Sequence, residues 1–143
     1  MSTIQATCLA ALVGLGPIAC SLPPGSNRPT ELKLENLLQM TLDDQFVPGR
    51  EVVVSYVEVP PNTTMERHWH PGEEFQYYLE GEVEIEIDGA PAITGKPGMV
   101  GHVPFKKMHT ARTGEHGARL VVFRVHTKGE PVRYLVSGGS SEQ

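Results

Sequence analysis

From Glu82 to Ile87 the chain alternates charged and apolar side chains for three full periods, Glu82-Val83-Glu84-Ile85-Glu86-Ile87. Successive side chains of a strand point to opposite faces, so this segment reads as a strand with one face to solvent and the other to a core. Asp88-Gly89 closes it with tight-turn chemistry. The same pattern runs through the chain beyond Pro48-Gly49. Glu51 to Val59 is rich in β-branched residues and stops at Pro60-Pro61-Asn62, Met65 to His70 stops at Pro71-Gly72, and Phe75 to Leu79 stops at Glu80-Gly81. After the Lys96-Pro97-Gly98 turn come Met99–Val103, His109–Thr113 and Ala118–Val125, separated by 104–107 and 114–117. Short strands with a turn signal every 8 to 12 residues or so predict an all-β antiparallel sandwich or barrel. No helix-length amphipathic segment follows residue 42. Glu31 to Met40 fits a short helix almost as well as a strand, and an extended N-terminal strand is the preferred reading.

A chain of 143 residues, 39% hydrophobic and 20% charged, has room for one domain with one core. The net charge of −5, with no basic cluster, gives no footprint for a phosphate backbone and argues against nucleic acid as a partner. Both cysteines, Cys8 and Cys20, precede the folded domain, which therefore uses no thiol chemistry. The apolar run from Cys8 to Ala19 is too short to span a bilayer and suits the apolar region of a secretory signal, with cleavage after Ser21. Met1 to Thr7 lack Lys and Arg, so a lipid-modified Cys20 and an uncleaved arm stay open as alternatives. The expected organisation is a signal segment at 1–21, a Pro/Gly linker at 22–29, a folded domain at 30–136 and a disordered tail at 137–143, in an exported protein with no transmembrane segment.

His68-Trp69-His70 places two imidazoles on one strand face, with Trp69 on the other. Glu74 follows across Pro71-Gly72, where the turn interrupts the pleat, and His109 opens a later strand that can cross beside the first in an antiparallel barrel. Three neutral imidazoles and a carboxylate suit divalent Fe, Mn, Co, Ni, Cu or Zn better than Ca or Mg. Four protein ligands leave a coordination position open, as a catalytic metal needs. His116, in a polar turn, and His126, near a strand end, read as structural or solvated. His102 stays open between that role and a non-ligand acid or base in the pocket.

The stretch from His68 to Gly81 resembles the first motif of the cupin superfamily, in which His-x-His is followed by a Glu and then a Gly. Asn62 stands where that motif begins with glycine. Gly98 to His109 resembles the second motif, with Lys106 in place of a glycine and Thr113 in place of an asparagine. The resemblance runs over about residues 45–130 and is nearest to the small quercetin-dioxygenase-like monocupins. It implies an antiparallel jelly-roll-like β-barrel around a pocket, with His68, His70, Glu74 and His109 as metal ligands.

The activity so implied is metal-dependent chemistry on a small oxygenated organic substrate, a dioxygenase within that class, with Glu74 carrying a proton and Gln76 and Tyr78 lining the pocket beside it. A metal-dependent isomerase or lyase, a non-catalytic metal or small-ligand binding protein, and a barrel with a vestigial site are the rivals. Val52, Val53, Val54 and Val57 carry more apolar surface than one sheet face buries, which points to a homodimer.

Overall fold

The computed structural model of the protein describes residues 28–136. The signal segment expected at 1–21, most of the linker and the tail expected at 137–143 lie outside the described residues. Eight strands form one antiparallel sheet: β1 (Lys33–Thr41), β2 (Arg50–Val59), β3 (His68–Trp69), β4 (Gly72–Ile87), β5 (Ile93–Gly95), β6 (Val100–Val103), β7 (His109–Thr127) and β8 (Tyr134–Leu135). The described residues contain no helix, so none is long and apolar enough to cross a membrane. The result is the all-β jelly-roll-like barrel expected from the turn spacing and the resemblance, and it settles Lys33–Thr41 as a strand.

β7 organises the sheet. Its second half lies between β2 and β4, so that Tyr56 and Tyr77 both stand opposite Val121. Its first half pairs again with the far end of β4, from Val83 opposite Thr113 to Ile87 opposite His109. The sequence suggested two separate strands on each side of Glu80-Gly81 and of 114–117, but each pair is one long strand that bends. Register shifts at Tyr78/Glu80 and Gly81/Val83 let β4 and β7 turn that corner together. Gly81 and Gly117 make it possible, because both have positive φ, 72° and 68°. A Cβ on Gly81 would also collide with the Gly117 carbonyl oxygen, and one on Gly117 with that of Val59. Elsewhere β3 is shorter than the Met65–His70 stretch, and the short strands β5 and β8 had no clear sequence signal.

Inward residues follow strand parity. Val57 and Val59 of β2, Val83 and Ile85 of β4, and Leu120 and Val122 of β7 form one buried cluster with Tyr78. Each such side chain contributes roughly 1.5–3 kcal/mol by leaving water. β1 differs: all nine of its residues are exposed, and among the described residues it pairs only with β2, with a bulge between Asn36 and Leu38.

Candidate metal centre

β3 and the start of β7 run antiparallel with His68 directly opposite His109, and His70 follows two residues after His68 on the same face. The three ring centroids stand 4.3, 4.9 and 5.1 Å apart. One ring nitrogen from each falls within 4.8 Å of the others, close enough for the three to hold one metal ion. All three rings are buried.

Main-chain carbonyls fix which nitrogen is free. His68 Nδ1 lies 2.6 Å from Glu66 O, His70 Nδ1 2.6 Å from Val132 O, and His109 Nδ1 3.0 Å from Lys107 O. A carbonyl oxygen only accepts, so each Nδ1 carries the proton and each Nε2 keeps its lone pair for an ion. Burial pushes His68 down to about 4 against the opposing pull of the Glu66 carbonyl, and burial likewise lowers His109. Both rings are therefore neutral near pH 7, the form that ligates. Trp69 faces the other way and stacks on Tyr134 at 4.3 Å, which ties β8 to β3 and keeps the Val132 carbonyl over His70.

Glu74 is buried beside this group, with Oε2 2.9 Å from His70 Nε2. That contact lacks hydrogen-bond geometry, and His70 Nε2 has no hydrogen-bond partner. Gln76 Nε2 donates to Glu74 Oε1 at 2.6 Å, and Arg124 Nε donates to Oε2 at 2.7 Å. Burial alone would raise the Glu74 carboxyl, but the Arg124 charge, with the hydrogen bond from Gln76, outweighs it and holds the group well below the usual carboxylate range. Arg124 was not singled out from the sequence. Its signal was there, since Leu120, Val122 and Arg124 share one strand parity, and an arginine on an inward apolar face needs a buried counter-charge.

These groups border a cavity of about 330 Å³. Its walls are largely aliphatic, including Val57, Val59, Ile85 and Leu120, and Leu34, Asn36 and Gln39 of β1 reach its edge. Gln76 lines it with Oε1 free of partners. Tyr78 shares the inward parity, yet it does not line the cavity: it is wholly buried, seated in space left by Gly95 and Gly101, where a Cβ would collide with its ring or hydroxyl. Burial, with the Glu74 charge adding to it, pushes its hydroxyl up to about 12.

The remaining histidines separate. His102 is outside the pocket, stacked on Phe75 at 4.9 Å and 2.7 Å from the Glu73 carboxylate. His116 is exposed. His126 is not solvated: it is wholly buried, 3.4 Å from Glu51, and neither ring nitrogen has a hydrogen bond. The departures from the cupin motifs keep the backbone they replace. Asn62 and Lys106 both take positive φ, 51° and 57°, and Lys106 N donates to His70 O at 3.2 Å. Thr113 Oγ1 bridges the Pro60 carbonyl at 2.5 Å and the Thr63 amide at 3.1 Å.

Comparison with known proteins bears on this arrangement. The Cupin_2 family model, described as the cupin domain, matches residues 55–138. No curated protein sequence matches the chain. Among solved structures, the DMSP lyase DddQ from Ruegeria pomeroyi is 26% identical with a TM-score of 0.55; the match covers 59% of this chain and 43% of that one, less than half its length. An RmlC-like cupin with a double-stranded β-helix fold from Methanocaldococcus jannaschii is 13% identical, covering 72% and 87% of the two chains with a TM-score of 0.57. A mutant oxalate decarboxylase from Bacillus subtilis is 16% identical, covering 71% and 30%, with a TM-score of 0.54. The family match spans more than half of the sequence and takes in all three metal-competent histidines: the chain belongs to the cupin family.

Proposed function

We propose that this cupin is a metal-dependent enzyme acting on a small oxygenated organic molecule. His68, His70 and His109 would hold one divalent transition ion from the set Fe, Mn, Co, Ni, Cu or Zn, with Glu74 as the fourth donor. The observation that carries this reading is the fixing of all three Nδ1 atoms by main-chain carbonyls, which leaves three buried Nε2 lone pairs converging. A bound ion supplies Lewis-acid or redox chemistry at an open coordination position. The aliphatic walls exclude water, and Gln76 holds Glu74 in place through the 2.6 Å hydrogen bond from its Nε2. Glu74 is ionised at neutral pH, ready to ligate or to take a proton once Arg124 gives up its share of Oε2. Dioxygenase chemistry needs a redox ion, whereas isomerase or lyase chemistry does not. The likeness to a DMSP lyase and an oxalate decarboxylase supports the catalytic class.

The second reading is a non-catalytic metal or small-ligand binding protein, favoured by the grip of Arg124 on Glu74. The exposed β1 edge supports assembly as a homodimer under either reading.

Elemental analysis of the purified protein, with oxygen uptake on a flavonol and simple enediols, tests the reading. H68A, H70A and H109A are each expected to lose metal affinity by at least the ~10–100-fold that loss of an outer partner costs. H116A should retain the metal. Full metal content in the three variants would sink the assignment, and metal without turnover would favour the binding protein.

A further inference from the structure

The charge around the cavity has a consequence for what it holds. Its formally charged lining residues, histidines aside, are Glu74, Arg124 and Arg133. Glu74 and Arg124 cancel through their 2.7 Å contact, which leaves Arg133 as the uncompensated charge on the wall. Arg133 is half-buried and makes no hydrogen bond or ion pair among the described residues. Its backbone, by contrast, is pinned on both sides. Val132 O accepts from His70 Nδ1 at 2.6 Å, and Tyr134 pairs with Trp69 and stacks on it. The Val136 amide adds a bond to Arg67 O at 3.1 Å. An arginine with a fixed base and an idle guanidinium beside an apolar cavity is ready to take an anion without first breaking a contact.

We propose that Arg133 is the carboxylate-binding residue of this pocket, and that the ligand is a small organic carboxylate whose apolar part lies along the aliphatic wall. The guanidinium fork matches the two carboxylate oxygens, which a neutral amide does not reproduce. The pocket's polar groups are the cluster around the histidines and, on the β1–β2 side, Asn36, Gln39 and Ser55, while Val57, Val59, Ile85 and Leu120 supply the apolar share, the division of labour found in small-molecule sites. The proposal names the substrate class of the metal-dependent reading and rests on that reading for the ion, but Arg133 acts whether or not the ion is present.

The test is calorimetric titration of the full chain, as purified and again after chelation, with hexanoate, benzoate and their primary amides. The unsubstituted protein is expected to prefer each carboxylate over its amide by about tenfold or more in both states. R133Q should abolish that preference while leaving metal content and amide affinity unchanged. R133K should reduce it by several-fold, and it decides the matter if R133Q fails to fold, as read from the emission of Trp69. An equal preference in the unsubstituted protein and the variants, or none in the unsubstituted protein, would overturn the proposal. A chain that holds no metal yet keeps an Arg133-dependent preference would overturn the metal centre instead.

Discussion

The junction of β3, β4 and β7 and the edge strand β1 border the same cavity, yet they are held in opposite ways. At the junction each histidine is tied by its Nδ1 to a main-chain carbonyl, and Glu74 by Gln76 and Arg124. On β1 every residue is exposed, and beyond the main-chain pairing with β2 its side-chain ties across strands among the described residues are two, Gln39 Nε2 to Glu51 at 3.1 Å and Lys33 Nζ over the Tyr56 ring at 5.8 Å. A bulge at Leu37 lets Asn36 and Gln39 both reach the cavity. Side chains that must converge on one point need the backbone to aim them. A strand that only closes the rim can remain a surface.

Breaking the junction should have the largest effect on the fold. Arg124→Met removes the partner of a buried carboxylate and leaves the charge of Glu74 uncompensated, which costs about 3–5 kcal/mol. Urea unfolding of the metal-free protein measures it. The double variant Arg124→Met, Glu74→Gln should recover most of the loss, because it removes both charges together. If the single and double variants were equally stable, the ion pair would not be what holds this part of the pocket.

The next effect is pH-dependent and smaller. His68 is shifted down by burial from 6.5 to about 4, and burial lowers His109 and His126 as well. Between those pH values the unfolded chain binds protons that the folded chain refuses. Stability of the metal-free protein is therefore fully present above 6.5, falls as pH drops towards about 4, and stops falling on account of His68 below that. For His68 the full span amounts to about 3 kcal/mol. Glu74 acts in a separate, more acid window: its stabilisation is present above 4.5 and is lost only as pH falls well below it. His68→Gln should make the first window shallower by the share of His68, leaving the part due to His109 and His126, and spare the second, as thermal unfolding across pH would reveal. An unchanged profile would remove burial of His68 as its cause.

What could be read from the sequence follows from the range over which each signal acts. Strand alternation at Glu82–Ile87 and the His68/His70 spacing are local, and both hold in the structure. Glu80-Gly81 and 114–117 read as chain reversals because a glycine in a turn and a glycine at a bend look alike until the partner strand is known. Arg124 was overlooked because its counter-charge, Glu74, is 50 residues away in the chain. His126 read as structural or solvated because it stands near a strand end, and it is buried because the strand continues past Val125 and is covered by β2 and β4 on both sides. Tyr78 has the parity of a pocket residue, but only the two glycines facing it reveal that its ring drops beneath the wall. Arg133 lies on a segment whose pairing with β3 spans two residues, too short to register as a strand in the sequence.

The smallest stability effect belongs to β1, where the comparison can be sharpened most. Leu38 and Met40 are about half exposed, at 45% and 49%, on an edge with no further strand among the described residues. If β1 is covered by a second copy of the chain, Leu38→Glu with Met40→Glu should place like charges across that interface and shift the protein to monomer in sedimentation at micromolar concentration. The fold itself should change by no more than about 0.5 kcal/mol at conditions where the unsubstituted protein is also monomeric, since exposed positions away from special contacts contribute little. Metal content should be unchanged, because the three histidines owe their aim to Glu66, Lys107 and Val132 and not to β1. A protein that sediments as a monomer before any substitution would sink the dimer and leave β1 as a solvent-facing edge. Loss of metal in the double variant would show that rim and junction are coupled after all.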